Sequence, residues 1–209
     1  MKILAVSDLE VPLIYSHAIR ERFKNVDLVI SCGDLSAPYL EYIVSSLDKP
    51  SFFVNGNHVS QIEDEQGILH IEPQGAVNLH KNVVYDKTND LLLAGIEGSL
   101  RYNSGAYQYN QRKMWSMVYG LIPRLMQNKI QYGRYLDVFV SHAAPTGIHD
   151  ADDPAHKGVD AFRWLIDNFQ PKLHLHGHVH RYNPLTPLES KHNGTRVINA
   201  YGYREIDLI

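Results

Sequence analysis

Cysteine is almost missing from this chain of 209 residues, with Cys32 its only thiol. That excludes an intramolecular disulfide framework and a thiolate zinc cluster built by one chain, and it fits a reducing, cytoplasmic setting. Excess charge is missing too. Lysine and arginine number 20 against 23 aspartates and glutamates, for a net charge of -3 and a pI near 6.4. No basic field gathers polyanions, so nucleic acid is set aside as a primary partner. No apolar run approaches membrane-spanning length, and the four apolar residues between Lys2 and Ser7 are too few for a signal-peptide core. No repeat, low-complexity tract or Ser/Gly-rich linker divides the sequence. One domain over residues 1–209 is therefore expected, with 44% hydrophobic content to supply its core.

What is present is a set of short, continuous apolar runs bounded by turn residues, the pattern of strands buried on both faces. The strongest are Ile3 to Val6, Leu28 to Ile30, Phe52 to Val54, Val138 to Val140 and Leu173 to Leu175. Weaker runs at Val83 to Tyr85, Leu91 to Ile96, Arg196 to Asn199 and Tyr203 to Asp207 would extend or face the first sheet. Helical spacing joins Phe162, Leu165, Ile166 and Phe169, and again Met114, Met117, Val118, Leu121 and Leu125, where Pro123 should kink or divide the helix. Helices are also expected from Tyr15 to Lys24 and from Pro38 to Leu47, and a long ordered loop from Ser99 to Tyr109. Alternating strands and helices predict an α/β fold.

Histidine is abundant, with 12 in all and four of them between His174 and His180. Each strong strand run is followed by metal-competent side chains: Ser7-Asp8-Leu9-Glu10, Cys32-Gly33-Asp34, Asn55-Gly56-Asn57-His58, Ser141-His142, and His176-Gly177-His178-Val179-His180. In open α/β sheets ligands bind beyond the carboxyl ends of the strands, so these loops should meet in one crevice. Gly33, Gly56 and Gly177 each precede a candidate ligand, where a missing Cβ permits close backbone approach. Carboxylate, amide and imidazole donors suit Mn, Fe, Zn or Co. The candidates exceed what one ion takes, and a central aspartate can bridge two ions about 3.5–4 Å apart.

These blocks, in this order and spanning Asp8 to His180, resemble the calcineurin-like metallophosphoesterases. The resemblance implies a four-layer α/β/β/α sandwich of two mixed sheets flanked by helices, with two divalent ions at the strand ends, Mn favoured and Fe, Zn, Co or Mg as alternatives. It further implies that Asp8, Asp34 and His180 hold the first ion, with Glu10 where the family usually has histidine. Asp34 would bridge, and Asn57, His142 and His178 would complete the ligands of the second ion. His58 would act as proton donor or transition-state stabiliser, while His176 would bind no metal. Two departures stand out. Glu10 replaces an imidazole with a hard anionic oxygen, which favours Mn or Mg over Zn, and Val59 stands where relatives commonly carry an acid, so His58 needs another orienting partner.

The implied reaction is hydrolysis of a small phosphate ester by a hydroxide generated on the ions, with a phosphodiester preferred. The alternatives are a phosphomonoesterase acting on a nucleotide or phosphoprotein, and a metal-poor, non-catalytic scaffold of the same fold. Cys32 is expected to pack beneath the site as a small hydrophobe. His17, His70, His80, His156 and His192 read as surface or loop residues. His149 and Asp150 read as loop polars, and Tyr102, Tyr107, Tyr109 and Trp115 as core or loop anchors.

Overall fold

The computed structural model describes residues 1–58, 62–63, 69–70, 72–180 and 187–208. In chain order the strands are β1 (Lys2–Ser7), β2 (Leu28–Ser31), β3 (Ser51–Phe53), β4 (Ile62–Glu63), β5 (Leu69–His70), β6 (Val77–Asn78), β7 (Asn82–Asp86), β8 (Leu91–Ile96), β9 (Ser99–Leu100), β10 (Gln108–Tyr109), β11 (Val138–Ser141), β12 (Leu173–His176), β13 (Glu189–His192), β14 (Thr195–Asn199) and β15 (Gly202–Asp207). The helices are α1 (Ile19–Arg22), α2 (Ala37–Leu47), α3 (Gln111–Tyr132) and α4 (Asp160–Phe169). One sheet runs β15-β1-β2-β3-β6 and the other β13-β14-β12-β11-β8-β7, with small pairs β4-β5 and β9-β10 beside them. Strands β1, β2, β3 and β6 are mutually parallel, as are β8, β11, β12 and β14; β15, β7 and β13 add antiparallel edges.

The layering follows from the two-residue alternation of side chains along a strand. Ile3 and Ala5 of β1, Leu28 and Ile30 of β2 and Phe52 of β3 point inward, where they meet Leu91, Leu93, Val138, Val140, Leu173 and Leu175 of the second sheet. Their neighbours Leu4, Val6, Val29 and Phe53 face outward, onto Ile19, Phe23, Tyr39 and Ile43. On the other side, Ala94, Ile96 and Phe139 meet Met114, Val118, Leu121, Phe162 and Leu165 of α3 and α4. Helix, sheet, sheet and helix thus stack in four layers. The expected fold class is observed.

The five strong runs divide between the sheets, β1 to β3 in one and β11 and β12 in the other. Of the weaker runs, only β15 joins the first sheet; β7, β8 and β14 belong to the second. The stretch from Tyr15 to Lys24 shrinks to α1, because Ser16 bonds its hydroxyl back to the Leu13 carbonyl (2.8 Å) and the preceding residues form turns. Helix α3 is not divided by Pro123. The carbonyl that proline leaves unpaired belongs to Tyr119, on an exposed stretch where water can satisfy it. Asn110 caps its start through Lys113 N (2.8 Å), and Gly133, at φ 74°, ends it. Among the described residues no helix is long and apolar enough to cross a membrane.

Candidate metal centre

The carboxyl ends of β1, β2 and β3 face those of β11 and β12 across the seam between the sheets. Backbone hydrogen bonds lace the loops together: Asp8 N to Gly33 O (3.1 Å), Gly177 N to His142 O (2.9 Å) and Gly98 N to Asn55 O (2.9 Å). Side chains add the links between loops. Asp8 accepts from the His178 amide on both carboxylate oxygens (3.1 and 3.0 Å), and Asp34 accepts from the His58 amide (2.7 Å). Asp8, Asp34 and His178 all sit at positive φ (64°, 54° and 66°), a conformation that costs non-glycine residues on the order of 1 kcal/mol each and concentrates at functional sites.

The glycines before these ligands have no room for a side chain. A Cβ on Gly177 would stand 1.9 Å from Ser7 Oγ and 2.4 Å from Asp8 Oδ2, one on Gly56 1.9 Å from Asp34 Oδ1, and one on Gly33 2.8 Å from His142 Nδ1. The loops can close on one another only because these positions are bare.

At the centre, Asp34, His142 and His178 each offer a ligand atom, all within 4.8 Å of one another. His142 is fully buried; its Nδ1 donates to Cys32 O (2.8 Å), turning Nε2 toward Asn57 Oδ1 (3.0 Å) and Asp34 Oδ2 (3.2 Å). His178 donates Nε2 to Ala155 O (2.7 Å), leaving Nδ1 as its free ligand atom. Each imidazole is thereby oriented by a backbone carbonyl, as metal-binding histidines generally are. His180 Nε2 lies 3.7 Å from Asp8 Oδ1. Glu10 accepts on its carboxylate from the Ser36 hydroxyl and from Ser36 N (3.3 Å), at the start of α2.

The electrostatics match a place built for a cation. Burial alone would raise Asp34, but the facing His142 and the His58 amide hold it down at about 2. Burial pushes His142 downward, yet the Asp34 and Asp8 carboxylates lift it to about 9. Burial also opposes ionisation of Asp8, and His180 and His142 more than offset that. For His178, burial and the nearby His142 bring the imidazole down to about 4, so it is a neutral donor. Burial pushes the Cys32 thiol well up, consistent with inert packing. Mixed carboxylate, imidazole and amide donors in a cradle closed by bare glycines fit a hard or borderline divalent ion.

Around this centre lie residues to which sequence reasoning gave no site role. Tyr102 Oη accepts from Asn57 Nδ2 (3.0 Å) and lies 3.3 Å from His58 Nε2. Glu97, at the end of β8, accepts from Asn55 Nδ2 (3.0 Å) and Tyr109 Oη (2.8 Å), with His80 Nε2 at 3.2 Å. His80 is thus part of a network rather than a free loop residue. His156, paired with Asp153, stacks on His178 with ring centroids 5.2 Å apart. His176 donates Nδ1 to Gly177 O (3.0 Å) and pairs through Nε2 with His149 (2.9 Å), which reaches Ser190 (2.8 Å). The one available signal was positional: Glu97 follows a strand run as the other candidate blocks do. Beside the centre, a cavity of about 690 Å³ is bordered by His180, His149, Arg163 and Lys191. Trp115 packs on Trp164 and Tyr119, a core role. Val59 and the side chain of His70 lie outside the described residues.

Comparison with known proteins adds a family. The model described as calcineurin-like phosphoesterase matches residues 1–182. No curated protein matches the chain. One crystal structure superposes with a TM-score of 0.64 at 14% identity, covering 99% of this chain and 94% of its own. That of TT1561 from Thermus thermophilus gives 0.58 at 14% identity, covering 96% and 89%. At that identity the structural likeness establishes the fold alone.

Proposed function

The chain belongs to the calcineurin-like phosphoesterases, a family of metal-dependent phosphoester hydrolases with some non-catalytic members, and from that premise we propose that it is a phosphodiesterase working with two divalent ions, Mn2+ foremost. The observation that carries this reading is the convergence of Asp34, His142 and His178 within 4.8 Å, with the Asp8–His180 pair joined to it through the His178 amide. Asp34 would be shared, Asn57, His142 and His178 holding one ion and Asp8 and His180 the other. Glu10, whose carboxylate is on Ser36, would favour Mn2+ or Mg2+ over Zn2+ if it swung onto the second of these sets as an oxygen ligand.

When bound, the ions would neutralise phosphoryl oxygens and make a water acidic enough to attack near neutral pH. The protein's own part is orientation and proton transfer. The Cys32 and Ala155 carbonyls fix the two imidazoles, and Asp8 and Asp34 remain ionised. His58, exposed at the rim with its amide on Asp34, would give the departing alkoxide its proton, a contribution of roughly 10² to 10⁴-fold. A diester carries two substituents on phosphorus, and the second would extend into the cavity bordered by His180.

The test is hydrolysis of bis-p-nitrophenyl phosphate and p-nitrophenyl phosphate by metal-stripped protein titrated with Mn2+, Mg2+ or Zn2+. Activity that needs metal, is highest with Mn2+ and prefers the diester supports the proposal. Preference for the monoester would make it a phosphomonoesterase. Protein that takes up metal yet cleaves neither would be a scaffold.

A further inference from the structure

The question left by Val59, a side chain with nothing to offer a hydrogen bond, is what orients His58. We infer that Tyr102 is the positioning residue for both His58 and Asn57, its single hydroxyl fixing the imidazole tautomer of one and the amide orientation of the other. The inference rests on the proposed hydrolytic role of His58 for its kinetic consequence, though not for its geometry.

Counting donors and acceptors leads there. Asn57 turns Oδ1 toward His142 Nε2 (3.0 Å) and Nδ2 toward Tyr102 Oη (3.0 Å), so the phenol oxygen is the acceptor of that bond. Having accepted, the phenol still has its own proton to give, and His58 Nε2, at 3.3 Å, is the acceptor in reach. Donated there, that proton leaves the neutral His58 ring with its own on Nδ1. Tyr102 therefore keeps the Asn57 oxygen pointed at the centre.

Tyr102 can do this because its own loop is tied down. Gln108, the buried first residue of β10, accepts from the amides of Tyr102 and Asn103 (3.1 Å each) and donates to Asn103 Oδ1 (2.6 Å). Arg101 N and Ser99 N bond to Tyr109 O and Tyr107 O (2.9 and 3.1 Å), closing the loop from residue 99 to 109. Tyr109 and Asn55 then share the Glu97 carboxylate. The loop bearing Tyr102 and the loop bearing Asn57 and His58 are thus fastened to one buried acid. A hydroxyl held this way is already in place before substrate arrives.

Two measurements on the full chain decide the matter. In metal-free protein, long-range 1H–15N correlation of the imidazoles should show neutral His58 protonated on Nδ1, the tautomer free histidine disfavours, and Tyr102→Phe should move the His58 Nε2 resonance while leaving His180 in place. In Mn2+-loaded protein, Tyr102→Phe should lower kcat about tenfold with KM unchanged, the size of one lost hydrogen bond, and cost less when His58 is already alanine, the loss that remains being the part that acts through Asn57. An Nε2-protonated His58 in the wild type, or equal losses in both backgrounds, would overturn the inference. If Tyr102→Phe fails to fold, the wild-type tautomer alone decides. If wild-type protein cleaves no ester, the hydrolytic reading fails and the resonance measurement still judges Tyr102.

Discussion

Loading the centre with metal should expel a proton, and its source can be named. In the metal-free protein both nitrogens of His142 face acceptors: Nδ1 meets Cys32 O at 2.8 Å, and Nε2 meets Asn57 Oδ1 at 3.0 Å and Asp34 Oδ2 at 3.2 Å. Burial opposes the charged ring, but Asp34 and Asp8 outweigh it and raise His142 to about 9. A pH of 7 lies well below this midpoint, so the ring is mostly imidazolium there. A cation must displace that proton, which weakens apparent affinity by on the order of 100-fold relative to solutions above pH 9. Asp34 at about 2 and His178 at about 4 are already deprotonated and release nothing, while His180, raised by its bond with Asp8, belongs to the other ion's set and adds its release there. Calorimetric titration of Mn2+ in buffers of different ionisation enthalpy should therefore report close to one proton released by the first ion at pH 7. Affinity should rise about tenfold per pH unit from 6 to 8 and level off above 9. The same shift fixes the sign for stability. A raised folded-state pKa stabilises fully below about 6.5 and is lost as pH rises through 9, so metal-free protein should melt earlier at pH 10 than at pH 7. Release below about 0.3 proton with a pH-independent affinity would refute the reasoning.

Two further outcomes follow from the geometry. His58→Ala should keep both ions by elemental analysis yet lose roughly 10² to 10⁴-fold in kcat; full turnover would remove His58 from the chemistry. Gly177→Ala, which forces a Cβ to within 1.9 Å of Ser7 Oγ and 2.4 Å of Asp8 Oδ2, should cost about 1–3 kcal/mol or more, lowering Tm by several degrees in a thermal melt. An unchanged melt would mean the loops meet differently.

Much of this was readable from sequence because buried parallel strands announce themselves as short β-branched runs, and because every candidate ligand follows such a run directly. The split of those strands between two sheets was not readable. Strands buried on both faces look alike whichever sheet they join, so Leu173 to Leu175 carries no mark that separates it from Ile3 to Val6. Pairings that depend on a single side-chain atom were equally hidden. Nothing in the residues around Ser99 to Tyr109 tells that a phenol there reaches Asn57 and His58, or that Gln108 braces it. Glu10 shows the same limit, since nothing in its spacing from Asp8 tells that Ser36, remote in sequence, bonds its carboxylate.

The most direct test of a shared Asp34 is anomalous scattering from crystals grown with Mn2+. Two peaks about 3.5–4 Å apart are expected, with one Asp34 carboxylate between them, His142 and His178 on one peak and Asp8 and His180 on the other. A single peak, or a pair in which Asp34 touches only one ion, would contradict the dinuclear assignment.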